Sequence, residues 1–286
     1  MKTLIKLTGL LILSVFLLSA CFDNYLNYTN ANLPVAVTDS ISNMQFTSIS
    51  CTGNITSDGG ANIKSRGFCW SENSEPTIND EYIKYDNGTG SFTSVIEGLT
   101  PGTLYYIRAY ATNRVGTAYG DAIKVKLGIG LEYKGGQVFY FLQPSDQGYD
   151  ANVIHGLIAA PGDQGTEIEW GCMGTSISGT SSAIGQGSQN TAKIVSNCTT
   201  SGIAARICDE LSEGGYSDWY LPSLDELAQL HLNKADINNL DCANYWSSTE
   251  ETYDLAWFYA FWMGNNTKNT ILKEHYILNV RCVRSF

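Results

Sequence analysis

The sequence predicts a chain of two domains, in which an all-β sandwich is followed by an α+β domain. Residues 34–127 contain seven short stretches of β-branched and aromatic residues separated by turn signals, a pattern typical of a sandwich. Beyond residue 130, apolar residues at helical spacing occur beside strand-like runs. The glycine-containing residues 128–130 form a break in the pattern, so we expect the second domain to span residues 131–286.

Side-chain alternation supports the sandwich. From Ile49 to Ile55 every second residue is apolar or small, so one face of this strand packs and the other meets solvent. Cys51 and Cys69 both fall on predicted strands. They either form a disulfide between the two sheets or fill the core as small apolar groups.

Residues 99–110 read LTPGTLYYIRAY and resemble the entry to the sixth strand of fibronectin type III domains. In that family a tyrosine hydroxyl fixes the preceding corner, which implies this role for Tyr105. Residues 65–70 read SRGFCW and residues 116–120 read GTAYG. With these segments, residues 33–127 resemble the fibronectin-III-like repeats of Bacteroidetes surface proteins.

The first twenty residues have the features of an export signal. Basic residues near the start precede an apolar run over residues 7–18, which is too short for a permanent membrane span. The following Ser19-Ala20-Cys21 resembles the lipobox of bacterial lipoproteins. We expect residues 1–20 to be removed, Cys21 to carry a lipid anchor, and residues 21–33 to form a tether at the outer membrane or cell surface.

The charge of the chain is concentrated in its second half. The net charge is -11, and residues 131–286 contain 8 Lys and Arg against 18 Asp and Glu, a balance of -10. Nucleic acids and sulfated polymers require clustered basic residues that offset their charge. The composition therefore disfavours both partner classes.

Several local signals organise the second domain. Residues 137–142 predict a strand and residues 201–211 a half-buried helix. Ser223 and Glu226 have the spacing of a capping box at the start of another helix. Asp225 and Glu226 are therefore interpreted as capping groups and not as a catalytic pair. Residues 171–187, rich in Gly, Ser and Thr, are expected to form a long ordered loop.

Three motifs in the second domain resemble a known family. Residues 215–222 read GYSDWYLP, residues 245–248 read YWSS and residues 280–284 read VRCVR. In this order they resemble the Lcl C-terminal domain family, which is related to the Fibrobacter major-paralogous domains. The resemblance covers roughly residues 135–286 and implies a C-type-lectin-like fold on bacterial surface proteins, among them a collagen-like adhesin that binds sulfated glycans. The acidity of the present chain favours a neutral extracellular glycan or a protein instead.

An enzyme is not expected. The calcium motif of true C-type lectins is missing from the sequence of this segment, so we predict no essential calcium, other metal or cofactor. His155, His231 and His275 do not have metal-ligand spacing, and no nucleophile elbow or phosphate loop is found in the sequence. The alternative is a formylglycine-generating-like oxidase, since those enzymes have a similar fold and use a cysteine pair, to which Cys242 would contribute.

The cysteines of the second domain admit several pairings. The resemblance implies a bridge from Cys208 to Cys282, because C-type-lectin-like folds tie their first helix to their final strand. Cys172 and Cys198 flank the glycine-rich loop and form a second candidate pair. Cys242 is then left over.

Aromatic residues supply the candidate binding surface. Five of the six tryptophans lie in the second domain, and such rings stack on sugars or anchor protein interfaces. Trp219 lies inside the family motif and is expected in the core, whereas the place of Trp257 and of Trp262 in the core or at the surface is open. A polar turn follows Trp262. The candidate ligand-binding residues are Trp246, Trp257, Tyr259, Trp262, Asn265, Asn266 and Lys268.

These observations together predict a cell-surface lipoprotein that acts as an adhesin or binding protein for an extracellular glycan or protein. The alternative is a structural or tip component of a surface appendage, since such assemblies use similar spacer domains.

Overall fold

A computed structural model describes residues 31–262, 267–275 and 278–286. The chain divides into two compact units between Leu127 and Gly128. The expected export signal, Cys21 and most of the expected tether lie outside the described residues. Within the described ranges, no helix is both long and apolar enough to cross a membrane.

The first unit is a sandwich of two antiparallel sheets. One sheet has the order β1-β2-β5, and the other has the order β4-β3-β6-β7 with β8 also paired to β6. Seven strands are predicted and the described part of this unit contains eight, because β7 and β8 both pair with β6 as two parts of one interrupted strand. The strands are β1 Val35–Ser42, β2 Ser48–Ser57, β3 Ser65–Ser71, β4 Glu81–Asp86, β5 Gly90–Glu97, β6 Leu104–Thr112, β7 Thr117–Tyr119 and β8 Ile123–Lys126.

The predicted alternation and tyrosine corner are both confirmed. On β2, Ile49, Cys51 and Ile55 are buried between the sheets. The backbone N–H of Thr100 donates a hydrogen bond to the hydroxyl of Tyr105 at 3.2 Å. This bond fixes the turn that leads into β6.

The possible disulfide between Cys51 and Cys69 is wrong, since both thiols are free. Cys51 faces the core between the sheets together with Phe68. Cys69 follows Phe68 on β3, so its side chain points to the opposite face, where the thiol donates to the carbonyl of Pro76 at 3.4 Å. The two sulfur atoms therefore lie on different sides of a sheet. Burial raises the pKa of both thiols to about 12, which keeps them protonated and unreactive.

In its described residues, the second unit combines two sheets with three α-helices. One sheet has the order β17-β11-β10-β9 and the other has the order β12-β16-β13-β14-β15. The strands are β9 Glu132–Tyr133, β10 Gly136–Phe141, β11 Gly156–Ala159, β12 Gly165–Ile168, β13 Asn244–Glu250, β14 Leu255–Ala260, β15 Lys268–Leu272, β16 Leu278–Val280 and β17 Val283–Ser285. The α-helices are α1 Gly187–Asn197, α2 Ala204–Asp209 and α3 Leu224–Leu232, followed by a 3-10 turn at Lys234–Asp236.

Helix α3 begins with the predicted capping box. The backbone N–H of Glu226 donates to the hydroxyl of Ser223 at 3.3 Å, and the backbone N–H of Ser223 donates to the carboxylate of Glu226 at 2.8 Å. Leu224, Leu227 and Leu230 recur every three residues and are buried, so this face of α3 packs against β13 and β14. The predicted helix at 201–211 is shorter in the structure, where α2 begins only at Ala204.

Helix α1 was not predicted, because its sequence lacks the apolar period of an amphipathic helix. Ile194 is the single large apolar residue among its buried positions, and Gln186 at its start provides no side-chain cap. Polar contacts hold the helix instead. Asn190 donates to the carbonyl of Ser181 at 2.7 Å, and the backbone N–H of Leu221 donates to the hydroxyl of Thr191 at 3.0 Å.

The second unit contains the two disulfides that the sequence favoured. One joins Cys208 on α2 to Cys282, immediately before β17, and the other joins Cys172 to Cys198 across the loop and helix α1. Cys242 is exposed and its thiol is free.

Candidate functional site

Two of the family-like motifs, GYSDWYLP and VRCVR, contact each other inside the second unit. Arg284 on β17 donates two hydrogen bonds to the carboxylate of Asp218, at 2.7 and 2.8 Å. Its guanidinium lies 3.9 Å from the ring centroid of Tyr216 and 5.8 Å from that of Trp219. Trp219 is buried, as predicted. The GYSDWYLP and VRCVR motifs therefore stabilise the fold by fixing the last strand.

A second hydrogen-bonded cluster involves the YWSS motif. The carboxylate of Asp163 accepts hydrogen bonds from Arg281 at 2.7 Å, from the hydroxyl of Tyr245 at 2.8 Å and from Asn279 at 2.9 Å. Arg281 is completely buried. A buried charge is tolerated only when it is paired and hydrogen-bonded, so this cluster also has a structural role.

Lys273 anchors the long loop over residues 171–187. Its buried ammonium donates to the carboxylate of Glu250 at 2.6 Å and to the carbonyls of Thr175 and Tyr253 at 2.9 Å each. The ring centroid of Trp170 lies 4.8 Å away. This loop contains no helix or strand before Gly187, yet these bonds order it, as predicted.

Glu226 holds the far end of the same loop. Its buried carboxylate accepts hydrogen bonds from the backbone N–H groups of Gly185 at 2.9 Å and Ser223 at 2.8 Å. Gly187 lies against this carboxylate, and any side chain there would collide with it. Burial raises the pKa of Glu226 to about 7, because desolvation outweighs the backbone N–H groups that favour the carboxylate.

This raised pKa predicts a pH dependence of stability. In the unfolded chain Glu226 has its ordinary pKa of 4.5, so between about pH 4.5 and 7 the folded state binds the proton more tightly. The stabilising contribution of Glu226 to the free energy of unfolding is therefore present at acidic pH and is lost as the pH rises through 7. We expect Glu226→Gln to flatten the dependence of the urea midpoint on pH across this window. An unchanged slope would show that Glu226 titrates normally.

Two predicted ligand contacts, Trp246 and Tyr259, are wrong because both side chains belong to the interior. Trp246 is 0% exposed and its indole N–H donates to the carbonyl of Ile168 at 2.7 Å. Tyr259 is 1% exposed and packs in the core with Phe261. Both faces of the strands that carry them are covered at these positions, so neither ring can meet a ligand.

Trp257 and Lys268 form a contact at the rim of this core. Trp257 is half-buried and packs against the same cluster as Tyr259. Its indole N–H donates to Glu251 at 2.7 Å, and the ammonium of Lys268 lies 6.0 Å from its ring centroid. Lys268 itself is exposed. Glu251 therefore occupies the N–H edge of this indole.

Trp262 contacts the opposite face of the sheet. It is 57% exposed and its indole N–H donates to the side-chain oxygen of Asn244 at 2.9 Å. Asn244 pairs with Ala260, and Phe258 pairs with Asn269. Paired residues lie on the same face of a sheet, and so do residues two apart on one strand, such as Phe258 and Ala260. All four residues therefore lie on one face. Phe258 is half-buried and Asn269 is exposed. We call this surface the Trp262 face: Asn244, Phe258, Trp262 and Asn269.

The structure therefore separates the predicted site into two parts. Trp257 and Lys268 lie on the core side of the sheet, whereas Trp262 lies on the other. Asn265 and Asn266, the predicted polar rim, lie outside the described residues. Asn244, Phe258 and Asn269 were not predicted, although strand alternation from the YWSS motif could have placed Asn244 away from Tyr245.

Two cavities lie elsewhere. One of about 360 Å³ adjoins the disulfide of Cys172 and is lined in part by Glu169, Met173 and Glu274. The other, of about 620 Å³, lies in the first unit beside Trp70. In the described part of the chain, no group of three or more His, Cys, Asp or Glu side chains is arranged to hold a metal ion.

Residues 162–284 match the family profile of the Lcl C-terminal domain. The match covers less than half of the chain but most of the second unit, Gly128–Phe286. The three motifs noted in the sequence fall inside it, so the predicted resemblance is confirmed for this domain. No curated protein sequence matches the chain.

Solved structures show remote likenesses. A fimbrial protein from Bacteroides ovatus is 13% identical with a TM-score of 0.36, over 78% of this chain and 64% of that one. A human fibronectin type III domain is 20% identical with a TM-score of 0.26, over 34% and 78%. The sensor domain of the anti-sigma factor RsgI4 in Pseudobacteroides cellulosolvens is 16% identical with a TM-score of 0.26, over 34% and 95%. The chain spans less than two thirds of the fimbrial protein, and none of these likenesses carries a functional argument.

Proposed function

We propose that this chain is a cell-surface binding protein whose second unit recognises an extracellular ligand through the Trp262 face. The observation that carries the proposal is the exposed indole of Trp262, whose orientation is fixed by its hydrogen bond to Asn244. A flat, oriented ring offers a large contact area at a small entropy cost. The amides of Asn244 and Asn269 add hydrogen-bond donors and acceptors beside it.

The charge of the unit favours a neutral glycan as this ligand. Of its 8 basic residues, Lys273, Arg281 and Arg284 are buried in ion pairs with carboxylates. Without these three pairs, five basic residues remain against 15 acidic residues in the same segment. A sulfated or phosphorylated polymer would meet repulsion on such a surface, whereas a neutral sugar would not.

The remainder of the chain suits presentation of this surface. In the proposal, Cys21 carries the lipid that anchors the protein in the outer membrane, and the sandwich of the first unit acts as a spacer. The second unit is proposed to be a variant of the C-type lectin fold, which the bridge from α2 to Cys282 supports.

Binding without bond-making chemistry is part of the proposal. Cys242 is exposed and free, but the four other cysteines of the unit are paired in disulfides. The cysteine pair of a formylglycine-generating-like oxidase would therefore require one of these bridges to open. A contact-only mechanism requires no such change.

A glycan array probed with the full chain tests the proposal. We expect signals on neutral glycans, and we expect Trp262→Ala to weaken binding of the best of them at least about tenfold, or 1.4 kcal/mol. The matched control is Tyr253→Ala, since Tyr253 is also highly exposed, at 58%. It should bind like the unmodified chain.

Equal losses in the two variants, or none, would contradict the assignment of Trp262. Without any glycan signal, specific capture of a neighbouring or host protein that depends on Trp262 would establish the protein-ligand alternative. Recovery of the chain in a regular surface assembly would instead favour an appendage component.

A further inference from the structure

Strand β5 is an open sheet edge. In the described ranges, Gly90–Glu97 pairs with β2 alone, at one end of the order β1-β2-β5. At the other end, β1 is covered by β6, where the backbone N–H of Ala109 donates to the hydroxyl of Thr38 at 2.9 Å. Among the residues that the structure describes, none outside β2 forms a backbone hydrogen bond with residues 91–96. The outward N–H and C=O groups of this segment are therefore available for another strand.

This edge lacks the features that normally prevent pairing. Proteins protect edge strands with charged side chains, prolines and bulges. The edge strand β4 of the other sheet carries charges at Glu81, Lys84 and Asp86. By contrast, β5 has neither proline nor charge before Glu97, and its eight-residue register with β2 contains no bulge.

The side chains around the edge are also suited to contact. On the outer face of β5, Ser91, Thr93 and Val95 are exposed, and Val95 is 47% exposed near the middle of the edge. Their partners on β2 include the uncharged Ser50 and Thr52. On this outer face, a strand that approaches the edge would meet no charged side chain of β5 before Glu97.

We propose that two copies of this chain associate by antiparallel pairing of β5 with β5 of the second copy, about a two-fold axis at Ser94. This register places Phe92 opposite Ile96 of the second copy, so the core-facing sides of both strands coincide. On the outer face it places Thr93 opposite Val95. Glu97 lies opposite Ser91, so the two carboxylates are at opposite ends of the interface. The result is one six-stranded sheet with a self-complementary contact.

Sedimentation equilibrium of the full chain in mild detergent tests the proposal. We expect the unmodified chain to dimerise and Val95→Lys to weaken the dimer at least about tenfold, because the two new lysines would lie diagonally across the axis, at positions roughly 7–8 Å apart, and repel each other. The matched control is Ser50→Lys, which adds the same charge to the same face on the central strand, directly opposite Val95. It should leave the dimer intact.

A rescue variant tests the register. Adding Thr93→Glu to Val95→Lys places opposite charges face to face across the axis, which should restore the dimer. Hydrogen exchange of the unmodified chain provides a readout without any substitution, since the amides of β5 should become more protected as protein concentration rises. A monomer at every concentration, equal effects of Val95→Lys and Ser50→Lys, or no rescue would overturn the proposal.

Discussion

Lys273→Met is expected to lower the free energy of unfolding of the second unit by about 3–5 kcal/mol, the usual cost of leaving one member of a buried ion pair without its partner. Lys273 is completely buried, and its ammonium satisfies Glu250 together with the carbonyls of Thr175 and Tyr253. Removal of the ammonium leaves a buried carboxylate and two carbonyls without this donor. The loop over residues 171–187 should loosen as a consequence.

Urea unfolding followed by tryptophan fluorescence measures this loss, since five of the six tryptophans lie in the second unit. Glu250→Gln in the Lys273→Met background removes the unpaired charge and should recover part of the stability. The control is Lys268→Met, because Lys268 is exposed and its loss should cost less than about 1 kcal/mol. Similar losses at the two lysines would contradict the structural role of Lys273.

Removal of the bridge between Cys208 and Cys282 is the second large effect. The two cysteines are 74 residues apart and buried. On the chain-entropy model, opening a loop of this length costs about 4 kcal/mol, since the unfolded chain regains conformational freedom. We expect Cys208→Ala/Cys282→Ala to lose about that amount of unfolding free energy.

The second bridge and the free thiol provide internal comparisons. Cys172→Ala/Cys198→Ala opens a loop of only 26 residues, so its cost should be smaller, about 3 kcal/mol. Cys242→Ser should be close to neutral, since its thiol is exposed and free. An equal loss in both double variants would indicate that contacts other than loop closure dominate.

Much of the fold was predictable because its signals are local or strictly periodic. Alternation on β2 identified the buried side of Ile49 and Ile55, and turn residues separated the strands of the sandwich. The capping box of Ser223 was visible because its two members lie three residues apart. Such signals act within one element and do not depend on the rest of the chain.

Features fixed by distant polar contacts were not predictable. Helix α1 depends on Asn190 and Thr191, whose partners lie in other parts of the unit. The same holds for the anchoring of the loop by Lys273, which lies 98 residues from its acceptor Thr175. Nothing in the local sequence distinguishes these buried side chains from solvent-exposed ones.

In the candidate site, too, local features were predictable and features that depend on distant contacts were not. The sequence identified the aromatic character of the segment around Trp257 and Trp262 but not which rings are accessible. Trp246 and Tyr259 are buried because the sheet that contains them is covered on both faces at their two positions. Accessibility depends on strand register, and register follows from pairings that a single segment does not encode.

The central claim is that the second unit is a rigid scaffold that presents Trp262 for contact with a ligand. The ligand is bound and released without any chemical change. The most direct measurement records the indole N–H resonance of Trp262 in the full chain by NMR while the best glycan from the array is added, together with the integrity of that glycan. We predict a saturable shift of this resonance and quantitative recovery of intact glycan. A resonance that does not move at saturation, or a glycan that is chemically converted, would contradict the claim.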